Sequence, residues 1–312
     1  MKILVTGAAG FIGFHFIKSI KNKKIKIYGI DNLNDYYSIK LKKDRLKYLK
    51  KNKNFYFYKT DISNFFSLKK IFKNKFDIIY NFAAQAGVRY SFINPKQYLE
   101  SNVVGFFNIL ELSRITGVKK IFYASSSSVY GDASTFPISE KNNLNPKNFY
   151  ALSKKNNEEI AEIYAKKYNI SLIGLRFFTV FGEWGRPDMF MMKYLEASKK
   201  QKIFRLNNFG NHIRDFTYIE DAISILKKLK FSKHHEVYNI CSNRPVTLKH
   251  SIKLMNKFIK KPKTIKVGFQ EGDAIKTHGD NKKILKKIKG YKFTNFDLAI
   301  KKTIFWYLNY KK

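Results

Sequence analysis

The strongest constraint on the fold is the alternation of short apolar runs with helical patterns from residue 1 to about 178. Met1-Lys2-Ile3-Leu4-Val5-Thr6 reads as a buried strand without signal-peptide character, so it is expected to open a domain and not to be a leader. Further strands are predicted at 24–30, 55–59, 76–82, 121–125 and 170–178. Helices fall between them, including one from Pro95 to about Ser113 and one from Tyr150 to about Lys167. Such alternation implies a parallel, doubly wound sheet with helices on both faces.

The first strand runs into Gly7-Ala8-Ala9-Gly10-Phe11-Ile12-Gly13, and Phe14 to Ile20 continues as a helix. A dinucleotide site needs a tight turn at the first glycine, close backbone approach to a pyrophosphate at the second and close helix–sheet packing at the third. The second strand ends at Asp31, a little under twenty residues after Gly13, followed by Asn32. A carboxylate there accepts hydrogen bonds from the adenosine ribose and repels a 2′-phosphate, which favours NAD over NADP. The third strand ends in Thr60-Asp61-Ile62, where a carboxylate meets the adenine amine. The fourth ends in Ala83-Ala84, small enough for a cofactor to lie against the backbone. Phe11, Ile12, Asn32 and Ile62 are counted with the glycines and carboxylates as cofactor contacts.

Past Thr179-Val180-Phe181-Gly182 the pattern breaks into shorter segments. A helix is predicted near Met189–Ala197, a short strand pair around 203–216, and a helix at 218–229. A strand at Val237–Ile240 and helices at Leu248–Lys260 and Asp297–Tyr310 follow. The expected fold is α/β: a doubly wound parallel Rossmann sheet with a smaller C-terminal substrate-binding lobe. The Rossmann domain is assigned to 1–178 plus about 217–241, and the lobe to about 179–216 and 242–312.

A net charge of +38 raises the question of a nucleic-acid partner. The lysines are spread as pairs along the whole chain (Lys42-Lys43, Lys119-Lys120, Lys199-Lys200, Lys286-Lys287) and accompany no base-reading motif, so no specific nucleic acid is expected. No stretch approaches the about 18 apolar residues of a membrane span. A single cysteine, Cys241, excludes intrachain disulfides and suits a reducing cytoplasm, and six scattered histidines show no metal spacing. Only eight arginines stand among 61 basic residues. In so lysine-rich a chain an arginine marks a need for a planar, bidentate donor. Arg89, Arg186 and Arg214 fall inside motif-like loops and suit diphosphate or carboxylate ligands, or else structural ion pairs.

Tyr150-Ala151-Leu152-Ser153-Lys154 places a phenol and an ammonium on one helix face, and Ile121 to Ser125 delivers Ser126 to a sheet edge. A phenol beside a cation and a hydroxyl takes a proton from an alcohol near neutral pH, as hydride chemistry on a sugar hydroxyl requires. The spacing alone is common and equally fits a surface tyrosine with a solvated lysine.

With these residues assembled, the chain resembles the extended short-chain dehydrogenase/reductases that act on nucleotide sugars, and among them bacterial UDP-glucuronate 4-epimerases. The resemblance runs from residue 1 to about 308. It rests on Asp31-Asn32-Leu33-Asn34-Asp35-Tyr36-Tyr37, on Ala83-Ala84-Gln85-Ala86-Gly87-Val88-Arg89-Tyr90-Ser91 and on Ala124-Ser125-Ser126-Ser127-Ser128-Val129-Tyr130-Gly131. It continues through Leu175-Arg176-Phe177-Phe178-Thr179-Val180, Trp184-Gly185-Arg186-Pro187-Asp188-Met189 and Arg214-Asp215-Phe216-Thr217-Tyr218-Ile219.

The resemblance implies that Gly7, Gly10, Gly13, Asp31, Asp61, Asn102, Tyr150 and Lys154 serve the cofactor, with Phe177 packing against nicotinamide. It implies that Ser126 binds the reacting hydroxyl and that Arg214 and Asp273 hold the diphosphate and uridine ribose. Gln270 stands where related hexose epimerases often have arginine, and Phe177 where they often have tyrosine. Family dehydratases and decarboxylases carry an acidic residue just after the catalytic hydroxyl; here Ser127 and Ser128 stand in that stretch. Neutral-hexose epimerases typically have asparagine at the place of Thr179. Thr179, Ser127 and Ser128 offer hydroxyls for a carboxylate, Arg186 adds charge, and the same hydroxyls equally suit local backbone.

The implied activity is an isomerase with retained NAD, converting UDP-glucuronate to UDP-galacturonate through a 4-keto intermediate, in the supply of capsule or lipopolysaccharide sugars. A UDP-glucose or UDP-N-acetylhexosamine(uronate) 4-epimerase and a UDP-glucuronate decarboxylase stay open. So does an NAD-sensing or RNA-associated protein on the same fold. Relatives dimerise through the helices placed here at Pro95–Ser113 and Phe149–Lys167, so a homodimer is expected. Phe106, Phe107, Ile160 and Ile163 serve that contact or the core. No metal site is expected.

Overall fold

A computed structural model describes residues 1–232, 234–270, 272 and 274–310. The elements run β1 (Lys2–Thr6), α1 (Phe11–Ser19), β2 (Lys26–Asp31), α2 (Ile39–Leu49), β3 (Phe55–Lys59), α3 (Phe65–Phe72) and β4 (Ile78–Asn81). There follow α4 (Tyr90–Ile93), α5 (Pro95–Tyr98), a π-helical turn (Leu99–Val104), α6 (Gly105–Thr116), β5 (Lys120–Ser126), α7 (Phe149–Tyr168) and β6 (Ser171–Phe177). Then come β7 (Thr179–Phe181), α8 (Phe190–Lys199), β8 (Phe204–Leu206), β9 (Ile213–Tyr218), α9 (Ile219–Lys228) and β10 (Glu236–Ile240). The chain closes with β11 (Pro245–Thr247), α10 (Leu248–Met255), β12 (Thr264–Lys266), α11 (Lys282–Lys287) and α12 (Phe296–Tyr310).

Contacts divide the chain into two compact units. The first holds Met1–Gly131, Asn142–Phe177 and Leu229–Tyr238; the second holds Asp132–Lys141, Phe178–Lys228 and Asn239–Lys312. In the first, a seven-stranded sheet has the order β10-β6-β5-β4-β1-β2-β3, and the registers from β6 across to β3 are parallel. The chain winds outward from β1 to β3, then returns to lay β4 on the other side of β1. That reversal opens a crevice at the C-terminal ends of β1 and β4, where ligands of such sheets bind.

Local sequence accounts for the helix ends. Ser38, Asn64, Asn94 and Asn148 cap α2, α3, α5 and α7 through their side chains, and Gly117 and Asn169 take the left-handed conformation past α6 and α7. Leu4, Ile79, Ile121, Ile109 and Leu112 are fully buried between sheet and helices, each contributing about 1.5–3 kcal/mol of hydrophobic stabilisation.

The structure corrects two expectations, the unbroken helix and the strand pair, and sorts the four side chains left open between contact and core. The helix predicted from Pro95 to Ser113 is interrupted by the π-helical turn, because Asn102 faces inward to bond the backbone of Gln85. Phe106 is core, at 1% exposure, whereas Phe107 and Ile163 on the same helix pair are 45% and 64% exposed and Ile160 is half-buried. The segments around 203–216 do not pair with one another: β8 pairs with β12, and β9 lies between β7 and β11. A turn at Asn207–Gly210, with Asn208 and Phe209 at positive φ, separates β8 from β9. Among the described residues no helix is long and apolar enough to cross a membrane.

Candidate active site

The glycine turn is built by close contact. Gly7 has φ +66°, and a Cβ there would stand 2.8 Å from the Ala83 nitrogen; a Cβ on Gly13 would stand 2.2 Å from the Gly7 carbonyl oxygen. The Gly10 N–H donates to that carbonyl at 2.9 Å. Gly10 then starts α1 with no side-chain cap, so the N–H groups of Phe11, Ile12 and Gly13 open the helix towards an anion. Thr6 Oγ1 donates to Asn81 Oδ1 at 2.5 Å and accepts from the Ala83 N–H at 3.1 Å, tying together the two strand ends that form the crevice.

Asp31 is buried. Its Oδ2 accepts from the Ala9 N–H at 3.0 Å and its Oδ1 from the Leu33 N–H at 2.9 Å. Burial pushes its pKa up, against these N–H groups and the nearby charges of Lys42 and Arg45. Asp61 Oδ2 accepts from Asn32 Nδ2 at 2.7 Å, and its Oδ1 accepts from the Ser63 N–H and hydroxyl, both at 2.8 Å. Burial works to raise the Asp61 pKa, and these hydrogen bonds outweigh it and hold it below the usual value. Ile62 is buried beneath Gly105, and Ala83 and Ala84 are half-buried. An uncapped helix start beside two acceptor-rich carboxylates matches the pyrophosphate and hydroxyl groups of NAD, and Asp31 opposes a 2′-phosphate.

The residues that the sequence picks out for catalysis stand on β5 and α7. Ser126, 6% exposed, ends β5; its Oγ accepts from the Ser128 N–H and donates to the Ser128 hydroxyl, both at 3.2 Å. Ser127 and Ser128 are half-buried in the turn that follows. Lys154 is buried, donates to the Ala124 carbonyl at 2.8 Å and sits 6.0 Å from the Tyr150 ring centroid. Burial pushes its pKa down to about 8, with Glu158 opposing the fall. Half-buried Tyr150 meets Tyr98 edge to face at 6.1 Å, and the Tyr98 hydroxyl donates to the Ala86 and Gly87 carbonyls.

Asn102 spends its amide on the protein. Nδ2 donates to the Gln85 carbonyl at 3.1 Å and Ser153 Oγ at 2.9 Å, while Oδ1 accepts from the Gln85 N–H at 2.7 Å. Ser153 in turn donates to the Tyr150 carbonyl at 2.8 Å, so Asn102 fixes both the loop after β4 and the first turn of α7. Phe177 is buried at the end of β6, and Arg89 is exposed at the start of α4.

In the second unit, Thr179 is half-buried at the start of β7. Arg186 forms a two-pronged pair with Asp188, Nε to Oδ1 at 3.1 Å and the terminal nitrogen to Oδ2 at 2.8 Å. Arg214 donates to the carbonyls of Ile213 and Ile275 at 2.9 and 3.0 Å. Next to it, fully buried Asp215 accepts four bonds: Ser242 N–H and hydroxyl on Oδ1, Asn243 and Gly279 N–H on Oδ2. Trp184 packs against Trp306 and Tyr310 of α12 at 5.3 and 5.1 Å. Asp273 lies outside the described residues. No cluster of three or more His, Cys, Asp or Glu side chains suited to a metal ion occurs among the described residues.

A family description fits this arrangement over residues 3–241: NAD dependent epimerase/dehydratase. The chain belongs to that family. Protein CapI of Staphylococcus aureus is 41% identical, with all of both chains covered. A UDP-glucuronate 4-epimerase of Thermodesulfobacterium geofontis is 36% identical over 97% of this chain and 95% of its own. The crystal structure of UDP-glucuronic acid 4-epimerase from Bacillus cereus, in complex with UDP-glucuronic acid and NAD, superposes with a TM-score of 0.93 at 28% identity, covering 99% of this chain and all of its own.

In this epimerase/dehydratase chain, sequence reasoning missed three supports. Arg45, fully buried on α2, donates to the Ala9 carbonyl and the Tyr37 hydroxyl, both at 2.8 Å, so the Ala9 peptide is gripped by Asp31 on its N–H and by Arg45 on its oxygen. Arg176 is buried against Glu158. Both are among the eight arginines, and the argument from arginine scarcity, applied to all of them, would have found them. Asp215 had no such signal, since its partners lie 27 to 64 residues away.

Proposed function

We propose that the chain is an NAD-dependent 4-epimerase that interconverts UDP-glucuronate and UDP-galacturonate. The observation that carries this reading is Ser126 at the end of β5 together with Tyr150 and Lys154 in the first turns of α7, where Lys154 binds the Ala124 carbonyl, with no carboxylate in the serine turn that follows. Further support comes from UDP-glucuronate 4-epimerases of similar sequence and fold.

NAD, which Asp31, Asp61 and the start of α1 would hold, would supply the hydride acceptor for C4 of the sugar and the donor for return to the opposite face. Tyr150 takes the C4 hydroxyl proton, directly or through Ser126, and gives it back on return. Lys154⁺ favours the phenolate form by its charge, and the Tyr98 and Ser153 contacts hold the first turn of α7 in place. Asp31 and Asp61 hold the adenosine end, and the N–H groups of Phe11, Ile12 and Gly13 hold the pyrophosphate. Arg89, Arg186, Arg214 and Asp273 are assigned to the anionic and ribose parts of the substrate; Arg186 would open its pair with Asp188 to do so. Oxidation at C4 makes a β-keto acid, which loses CO₂ when its carboxylate is desolvated and turned out of plane. Hydroxyls of Thr179, Ser127 and Ser128 that keep it bound suppress that loss.

The protein is read as a cytoplasmic homodimer. The exposed side chains of Phe107 and Ile163 on α6 and α7, with Leu99, Val104 and Ile115 near them in sequence, support the dimer, and buried Cys241 suits a reducing compartment.

The test is to incubate the purified protein with UDP-glucuronate without added NAD and follow the sugar signals by NMR. Growth of UDP-galacturonate supports both the activity and retained cofactor. Inertness towards UDP-glucuronate with turnover of UDP-glucose would keep the chemistry and remove the acid-sugar assignment. No turnover of either, with NAD supplied, would remove the reading.

A further inference from the structure

Glu158 belongs to none of the motifs above, yet it stands one helical turn beyond Lys154 on α7 and is 5% exposed. Its Oε1 accepts from Arg176 Nε at 2.9 Å and from Ser125 Oγ at 2.5 Å, and its Oε2 accepts from the other fork of Arg176 at 2.6 Å. Arg176, on β6, also donates to the Tyr130 hydroxyl at 2.8 Å and lies 4.9 Å from that ring. Thus α7 grips two consecutive residues of β5: Lys154 holds the Ala124 carbonyl and Glu158 holds the Ser125 hydroxyl. The next residue is Ser126.

The same carboxylate settles the local charge. Lys154 and Arg176 are both buried cations, and Glu158 is the anion beside them. Facing this group are Tyr150 and, farther along, Glu162 on α7, Tyr123 on β5, Arg176 on β6 and Tyr130 in the turn after β5. Burial works to discharge Lys154, and the Glu158 charge works against it. A buried ion pair is weak as a stabilising device, because packed apolar side chains of similar volume serve at least as well. A role in the reaction gives these charges a reason to be here.

We propose that Glu158, held by Arg176 and Ser125, is a positioning residue for the reacting centre: it keeps Lys154 charged and fixes the end of β5 that carries Ser126. This rests on the reading of Ser126, Tyr150 and Lys154 as the reacting set. Removing the Glu158 charge in isosteric Glu158→Gln takes away the anion that opposes the discharge of buried Lys154, so Lys154 loses its proton more readily. Arg176→Gln removes the competing cation and acts in the opposite sense. A purely structural pair would not give opposite signs from its two ends.

The experiment is a pH titration of the NAD-containing enzyme labelled with ¹³C-lysine. The Lys154 Cε signal is assigned by its loss in Lys154→Arg, and turnover of UDP-glucuronate is measured over the same pH range. Glu158→Gln is expected to lower the Lys154 midpoint by about one pH unit, with the alkaline limb of kcat moving equally and KM within about twofold. Arg176→Gln is expected to raise the midpoint, and it serves as the second variant should Glu158→Gln fail to fold. Unchanged midpoints, or midpoints that move the same way in both variants while only the melting temperature falls, would overturn the proposal. A wild-type protein that turns over no UDP-sugar would overturn the epimerase reading, and the NMR midpoint would still decide the electrostatic link.

Discussion

Asp31 in the first unit and Asp215 in the second are both buried strand carboxylates whose pKa burial pushes up. They differ in how much of their accepting capacity the protein consumes. Asp31 takes one N–H on each oxygen and keeps lone pairs for a ligand. Asp215 takes two donors on each oxygen and joins β9 to the segments at 242–243 and 279. Burial and a shifted pKa therefore do not separate the carboxylate proposed for binding from the structural one, whereas spare hydrogen-bonding capacity does. Lys154 stands with Asp31, having spent one N–H of three on Ala124, and Asn102 stands with Asp215.

The contrast is sharpest at Tyr150, whose hydroxyl is the base proposed for the sugar. Tyr150→Phe is expected to lower kcat about 10³-fold or more, with bound NAD and melting temperature nearly unchanged, as read by NMR turnover and cofactor release. Asp215→Ala leaves four donors without their acceptor and is expected to cost on the order of 4 kcal/mol by urea unfolding, with the folded fraction still carrying NAD. A loss below about 1 kcal/mol would break the comparison.

For Lys154 the sign follows from a folded pKa near 8 against the ordinary 10.5. Below about pH 8 both states are protonated and the folded state carries the full cost of a buried charge. Between about 8 and 10.5 the folded state sheds its proton first, so that cost is relieved as pH rises. Lys154→Met should therefore be more stable than wild type by up to about 3 kcal/mol at pH 7, with the advantage vanishing towards pH 10.5 in denaturant titrations. A pH-independent difference would contradict this.

Asp31→Ala should weaken NAD binding by about 10- to 100-fold, measured by calorimetry on stripped protein, and narrow the preference over NADP. The smallest effect is expected at Thr179→Val: a rise of about fivefold in decarboxylated by-product, at the low end of the about 1–3 kcal/mol of a lost hydrogen-bonding group. An unchanged product ratio by chromatography would remove Thr179 from carboxylate binding.

Much of the first unit is written locally. Its strands are continuous apolar runs, α2, α3, α5 and α7 start at Ser or Asn caps, and the glycine turn and Asp31 sit at strand ends, so the α/β fold was legible residue by residue. The π-helical turn was not, because it is set by Asn102 reaching a backbone 17 residues away. Nor was the pairing of β8 with β12, whose three-residue strands carry no period of their own and meet across about 60 residues of chain. The spacing of Tyr150 and Lys154 was visible, whereas the supports around them come from other elements (Tyr98 and Arg176) or from a position with no motif (Glu158). Local sequence announces which side chains stand at the ends of strands; their supports are decided by packing.

The aromatic cluster of Trp184 with Trp306 and Tyr310 has an optical consequence. The chain has only two tryptophans, and both sit in this one contact, inside the second unit. Tryptophan emission therefore watches the Trp184 loop and α12, while circular dichroism sums the helices of both units. Emission and dichroism that lose their native signal at the same denaturant concentration would mean the two units unfold as one; separated transitions would reveal the second unit melting on its own.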